Sequence, residues 1–197
     1  MYQSFKRLLD FLIALFCLPL LIITGLIVAP LIYFDDRGPV FYNALRAGKN
    51  FKEFKMYKFR TMKVNAPDIR TTDGGTYNSD NDPRVTRIGK FLRKTSIDEL
   101  PQLLNVLAGN MSIVGPRPIL PVKDKSTFTD FMLKRMDVRP GITGYSQAYF
   151  RNSIPRMEKY RNDAYYAEHE SFLFDIKIIL KTLKTVLKKE NINRLNN

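Results

Sequence analysis

The residues with the clearest chemical potential lie in one stretch, Arg93 to Pro118. A basic pair, Arg93 and Lys94, precedes adjacent carboxylates, Asp98 and Glu99, and the stretch closes on Gly115-Pro116-Arg117-Pro118. A carboxylate beside a guanidinium and a helix N-terminus should stay ionised, as a nucleophile must. An arginine held between two prolines is presented rigidly, which suits bidentate phosphate recognition. The same residues fit a structural account. Ser96-Ile-Asp-Glu99 matches a capping box, with Ser96 as N-cap and Glu99 reaching back to its backbone N–H. Acidic side chains in a first turn also offset the helix dipole. Asp98 and Glu99 point about 100° apart on a helix, so only Glu99 serves the box and Asp98 is left for another task.

A second basic pair, Lys58 and Arg60, alternates along Phe54-Lys-Met-Tyr-Lys-Phe59 and so projects from one face of a strand with Met56. Side by side they suit a phosphate, and equally a solvated basic strand face. Val40-Phe-Tyr supplies the other arm of a hairpin around Ala47-Gly48-Lys49-Asn50.

Several elements must position these groups. Asp82-Pro83 reads as an N-cap and N1 proline opening a basic amphipathic helix from Pro83 to Lys94. Leu100, Leu103, Leu104, Val106 and Leu107 follow at core spacing, closed by Gly109. Between the hairpin and these helices, Lys63 to Asp82 is a polar loop without apolar periodicity, long enough to be a lid or a disordered connector. Phe128 to Met136 reads as a short amphipathic helix, Val138 to Gln147 as a glycine-punctuated loop, and Tyr160 to His169 as helical. Ser171 to Lys189 carries apolar and lysine stripes, fitting either a headgroup-plane helix or a core helix with solvated lysines. Asn191 to Asn197 is expected to fray.

The chain has 197 residues and a net charge of +13, with Lys+Arg 32 against Asp+Glu 19, which points to an anionic partner: nucleic acid, lipid headgroups or a phosphorylated substrate. One cysteine, Cys17, excludes an intramolecular disulfide and argues for a reducing compartment. With His169 the sole histidine, a structural zinc site is excluded, and that residue, between Glu168 and Glu170, reads as surface.

Phe11 to Phe34 lacks any charged side chain and as a helix spans about 36 Å, enough to cross a bilayer. Pro19 and Pro30 disfavour a straight helix. Basic residues flank both ends, Lys6 and Arg7 before, Arg37, Arg46 and Lys49 after, which draws both ends to one face. Spanning and re-entrant readings stand near even on this pattern, with re-entrant the working expectation.

Four blocks, Lys58-Phe-Arg-Thr-Met62, Thr95-Ser-Ile-Asp-Glu-Leu-Pro-Gln-Leu103, Met111-Ser-Ile-Val-Gly-Pro-Arg-Pro118 and Arg139-Pro-Gly-Ile-Thr-Gly144, together resemble the bacterial sugar transferases, the small monotopic phosphoglycosyl transferases. The resemblance covers roughly Lys6 to Leu187 in unbroken order. It implies an undecaprenyl-phosphate sugar phosphotransferase that moves a sugar-1-phosphate from a UDP-sugar to undecaprenyl phosphate, releases UMP and initiates a cell-surface glycan. Asp98 would be the nucleophile on the sugar-bearing phosphorus, and Glu99 would hold Mg2+. Lys58, Arg60, Arg93 and Arg117 would form a positive cradle, with Arg139, Thr143 and Gln147 near the site and Arg151 on the nucleotide. The implied fold is a helix-rich α+β enzyme: an N-terminal re-entrant membrane helix (1–36), then a catalytic domain (37–197) in one integrated unit. A small β-hairpin and amphipathic interfacial helices surround a site at the cytoplasmic face of the bacterial inner membrane. Membrane lipids are implied partners, nucleic acid is not, and the pattern leaves room for a homo-oligomer.

The chain departs from the family's pattern at four places. Ala44 stands where Gln is usual two residues before the arginine matching Arg46, Tyr145 where Trp is usual, and Phe150 where Gly is common. The family's Ser-Pro break falls about a turn later than Pro19. Two competitors predict different behaviour of Asp98: a non-enzymatic basic membrane protein binding anionic lipid or nucleic acid, and a lipid-diphosphate phosphatase with an aspartyl intermediate.

Overall fold

The structure, a computed structural model, describes residues 2–69, 77, 79, 81–151 and 153–188. The expected frayed tail at Asn191 to Asn197, and the loop residues 70–76, 78 and 80, lie outside the described residues.

The apolar N-terminus forms two consecutive helices, α1 (Tyr2–Phe16) and α2 (Leu18–Asp36), separated at Cys17. Pro19 explains the position, because it lacks the N–H that would continue the helical ladder and is tolerated in the first turn of α2. Pro30 leaves α2 unbroken. Leu18–Asp36 has mean hydropathy 2.0 and only 17% of it is buried, so it is not a core helix wrapped in protein. One stripe, Ala14, Leu21, Val28 and Ile32, is covered, while Leu26 and Phe34 among others stand exposed.

Both ends of this helical pair are fastened to the rest of the chain. Near the start, Arg7 donates to the Val106 and Leu107 carbonyls at 2.6 and 2.9 Å, and Asp10 Oδ1 accepts the Ile113 N–H at 3.0 Å. At the far end Asp35 accepts the Ile88 N–H at 3.0 Å and Asp36 pairs with Arg60.

The hairpin is antiparallel, β1 (Phe41–Ala47) with β2 (Glu53–Phe59), in a register placing Tyr42 opposite Lys58. The hairpin supplies Ala44, Phe54, Met56 and Phe59 to a core with Leu92, Leu103, Val106 and Met111. Helix α3 runs over Arg87–Thr95, later than the expected start at Pro83. Thr86 is the N-cap, its side chain accepting the Gly89 N–H. Asp82 instead receives the Arg84 N–H and guanidinium within a buried turn. Gly89 has a steric reason: a Cβ there would stand 2.0 Å from the Thr61 carbonyl oxygen.

After α3 come a single 3-10 turn, Ile97–Glu99, and α4 (Gln102–Leu107). A parallel two-stranded pairing, β3 (Ser112–Val114) with β4 (Gly141–Thr143), was not anticipated from the glycine-punctuated loop. It brings Gly115, Gly141 and Gly144 so close that a Cβ on any one would meet backbone at 2.1 to 2.2 Å. Helices α5 (Asp130–Lys134), α6 (Tyr145–Tyr149), α7 (Arg156–His169) and α8 (Phe172–Lys188) complete the chain. Tyr166 and Ile178 from α7 and α8 bury against Val114, Val138 and Ala148 in a second core. Helix α8 exposes Leu173, Ile176, Leu180 and Leu183, an apolar stripe left uncovered. Its opposite face is fixed to α1, where Asp175 accepts from Tyr2 at 2.6 Å and pairs with Lys6.

Candidate active site

Asp98 and Glu99 sit in the 3-10 turn, in a geometry unlike the expected capping box. Ser96 is in the left-handed region, φ 59°, closes α3, and makes no side-chain cap hydrogen bond. Its carbonyl accepts the Glu99 N–H at 3.2 Å. A non-glycine residue at positive φ is uncommon, and here it reverses the chain immediately before the two carboxylates. Glu99 does not reach back to Ser96. Its Oε1 takes Lys58 Nζ at 2.9 Å and Arg117 Nη2 at 3.5 Å.

Lys58 lies between the carboxylates, its Nζ also 3.1 Å from Asp98 Oδ2. Strand β2 places it there: Lys58 shares a strand face with buried Phe54 and Met56, and at the end of that row its Nζ reaches the turn. Arg117 arrives because α4 is short and β3 returns the chain, with the Arg117 carbonyl held by Arg135 Nη2 at 2.7 Å. Arg135 is in turn paired at 2.7 Å with buried Asp163, a structural role in keeping with the helix that carries it. Arg93 leaves the last turn of α3 with Nε donating to Thr61 Oγ1 at 2.9 Å, and its charge acts on Asp98. Among the described residues its two terminal nitrogens make no hydrogen bond.

The environments push the two carboxyls apart. Burial raises the Asp98 carboxyl above the ordinary carboxylate value; Lys58 pulls it down, Glu99 adds to the rise and Arg93 opposes it. The helix-dipole argument for a low Asp98 is therefore outweighed by desolvation. Glu99 is also desolvated, yet Lys58 and Arg117 prevail and hold it down at about 2. Burial favours the neutral amine of Lys58, but Asp98 and Glu99 overcome it and raise its pKa.

Four of the predicted binding residues are directed elsewhere in this structure. Arg60 uses four of its five N–H donors on Asp36, Pro39 and Met62. It locks the end of α2 to the residue after β2, and it is buried. Arg139 donates from Nε to the Gly109 carbonyl at 3.0 Å. Thr143 Oγ1 meets Thr182 Oγ1 of α8 at 2.7 Å. Gln147 is turned into the protein, its amide atoms buried and unpaired among the described residues, and a Cβ on Gly144 would stand 2.6 Å from its Oε1. Arg151 follows α6 with φ 47°.

Asn105 and Thr61 went unremarked in the sequence. Asn105 is fully buried in the apolar run Leu103-Leu104-Asn105-Val106-Leu107. A polar residue at a core position is the signal that marks it.

The dyad suits a hard cation only when other donors join it. Among the described residues no cluster of three or more His, Cys, Asp or Glu could hold a metal. Glu99, however, is held ionised and takes Lys58 and Arg117 through Oε1, so among the described residues Oε2 has no hydrogen-bond partner. Magnesium bound through one or two carboxylates plus substrate phosphate oxygens matches that donor set.

Comparison with known proteins supplies an independent line. The profile of a family described as bacterial sugar transferase matches residues 1–189. The sugar transferase EpsL of Bacillus subtilis (strain 168) is 39% identical over 97% of this chain and 91% of its own length. UDP-N-acetylgalactosamine-undecaprenyl-phosphate N-acetylgalactosaminephosphotransferase of Aeromonas hydrophila is 39% identical over 94% of this chain and 44% of its own length. Galactosyl transferase CpsE of Streptococcus agalactiae is 41% identical over 92% of this chain and 42% of its own. This chain thus spans nearly all of the first relative and less than half of the other two.

Proposed function

The chain belongs to the bacterial sugar transferases, and we propose that it transfers a sugar-1-phosphate from a UDP-sugar to undecaprenyl phosphate, releasing UMP, through a covalent intermediate on Asp98. The observation that carries the reading is the split dyad: a buried Asp98 and an ionised Glu99 bridged by Lys58, with Arg93 and Arg117 beside them. The donor class and the lipid acceptor come from the name of the Aeromonas relative. The sugar is left open, because relatives of similar identity are named for N-acetylgalactosamine and for galactose.

In the first step an Asp98 carboxylate oxygen attacks the sugar-bearing phosphorus, the bond to the bridging oxygen breaks, and UMP departs with that oxygen. An acyl phosphate remains on Asp98. In the second step a phosphate oxygen of undecaprenyl phosphate attacks the same phosphorus, Asp98 leaves as carboxylate, and the lipid diphosphosugar is formed. Phosphoryl transfer depends mainly on placement and charge stabilisation, and this chain offers both. Lys58 orients the two carboxylates and opposes the protonation of Asp98 that burial favours. Arg93 and Arg117 present guanidinium donors to the phosphates. Glu99, together with substrate phosphate oxygens, would hold Mg2+, whose charge would neutralise the diphosphate.

Residues 1–36 act as a re-entrant membrane element, with 37–197 as the catalytic part at the cytoplasmic face of the bacterial inner membrane. Support comes from the fastening of both helix ends to one body and from the exposed apolar stripes of α2 and α8, surfaces suited to a bilayer. Initiation of a capsule, exopolysaccharide, O-antigen or glycoprotein glycan follows from the reaction. The test is UMP release from a panel of UDP-sugars with purified full-length protein. Sustained release that requires undecaprenyl phosphate is expected for at least one sugar. Sustained release without lipid, or none with any donor, would overturn the reading.

A further inference from the structure

We propose that Asn105 is a positioning residue for this reaction: its carboxamide takes the place of a third strand beside β2 and so fixes Lys58 opposite Asp98 and Glu99. The inference rests on the function proposed above and adds a residue to it.

Strand β2 pairs with β1 along one edge only. On its other edge the backbone groups of alternate residues need partners. Asn105 supplies them: Oδ1 accepts the Tyr57 N–H at 2.9 Å, and Nδ2 donates to the Lys55 carbonyl at 2.7 Å. These are two of the groups a neighbouring strand would have engaged, and Lys58 is the next residue along. The carboxamide is fully buried, so a side chain unable to make both bonds would leave buried backbone groups unpaired.

The other end of the linkage is equally fixed. The Asn105 carbonyl accepts the Asn110 and Met111 N–H groups at 3.0 and 3.2 Å. Upstream, Leu100 N–H bonds to the Ile97 carbonyl, Leu103 to Leu100 and Leu104 to Pro101, a run of short-range bonds from the turn that carries the dyad into α4. Asn105 therefore belongs to the same rigid unit as Asp98 and Glu99 while gripping the strand that carries Lys58. A hydrophobic residue would satisfy the core volume at this site but not the register between these two units.

The experiment is a double-mutant cycle on UMP release by the full-length protein in membrane mimetic, with wild type, Asn105→Ser, Lys58→Met and the pair. Asn105→Ser is expected to lower kcat about ten- to a hundredfold, the scale of a small misplacement of a catalytic group, with KM for the UDP-sugar nearly unchanged. In the Lys58→Met background the same change should cost little more, because its target is gone. Full additivity, or an unchanged kcat in folded Asn105→Ser, would overturn the proposal. Should Asn105→Ser not fold, Asn105→Asp decides: its protonated carboxyl restores one donor and one acceptor, so activity relative to wild type should rise as pH falls. Parallel pH profiles, or failure of both variants to fold at any pH, would overturn it too. A wild type that releases no UMP refutes the function itself, and that outcome is visible before any variant is compared.

Discussion

Lys58 Nζ stands 3.1 Å from Asp98 Oδ2 and 2.9 Å from Glu99 Oε1, a single ammonium joining two adjacent carboxylates. Without it two like charges would face each other in a desolvated turn, and the Asp98 carboxyl, already raised by burial, would rise further. Lys58→Met is therefore expected to lower kcat by about 10²–10³, the loss typical of one electrostatic contributor. The residual activity should move to higher pH, since the reactive carboxylate then needs a higher pH to form. A pH series of UMP release checks both, and an unshifted profile would count against the lysine's role.

The opposed carboxyls make opposite stability predictions. Glu99 has a depressed folded-state value, so its contribution is present above about pH 4.5 and is lost as pH falls toward about 2. Glu99→Gln should cost about 1.5–3 kcal/mol at neutral pH, the range for a hydrogen bond to a charged group. Asp98 has a raised value, so its contribution is favourable below its unfolded value of 3.8 and is lost as pH rises through the folded one. Asp98→Asn should accordingly leave thermal stability at neutral pH unchanged or raised while activity disappears. Melting curves of the two variants at pH 7 decide the matter: equal losses would contradict the assignment of environments.

The topology of the N-terminus is testable with thiols, because Cys17 is the sole cysteine. In a Cys17→Ser background, single cysteines at Gln3 and at Lys63 are expected to react with a membrane-impermeant reagent from the same side, the cytoplasmic one. Reaction of the Gln3 position only from outside the cell would refute a re-entrant helix.

Much of this site was legible in the residue pattern and some of it was not. Periodicity exposed the hairpin and the core stripe after Pro101, and a charge-free run exposed the apolar N-terminal segment, which the structure divides into α1 and α2. The dyad and its lysine were nameable from their types. The capping box failed because Ser96 adopts positive φ to turn the chain between α3 and the 3-10 turn, and its side chain makes no cap hydrogen bond there. Arg60 was expected beside Lys58 on one strand face, but β2 ends at Phe59, and Asp36, distant in sequence, claims the guanidinium. The parallel β3–β4 pairing joins residues far apart in the chain and leaves only its glycines as a local trace.

The central claim is that Asp98 carries the phosphosugar between donor and lipid. Incubating the full-length protein with a UDP-sugar labelled at the β-phosphate, without acceptor, tests it most directly. Label should appear on the wild type with release of UMP, be absent from Asp98→Asn, and leave the protein when undecaprenyl phosphate is added. A wild type that turns over with lipid present yet never acquires label, or an Asp98→Asn variant that does, would contradict the account.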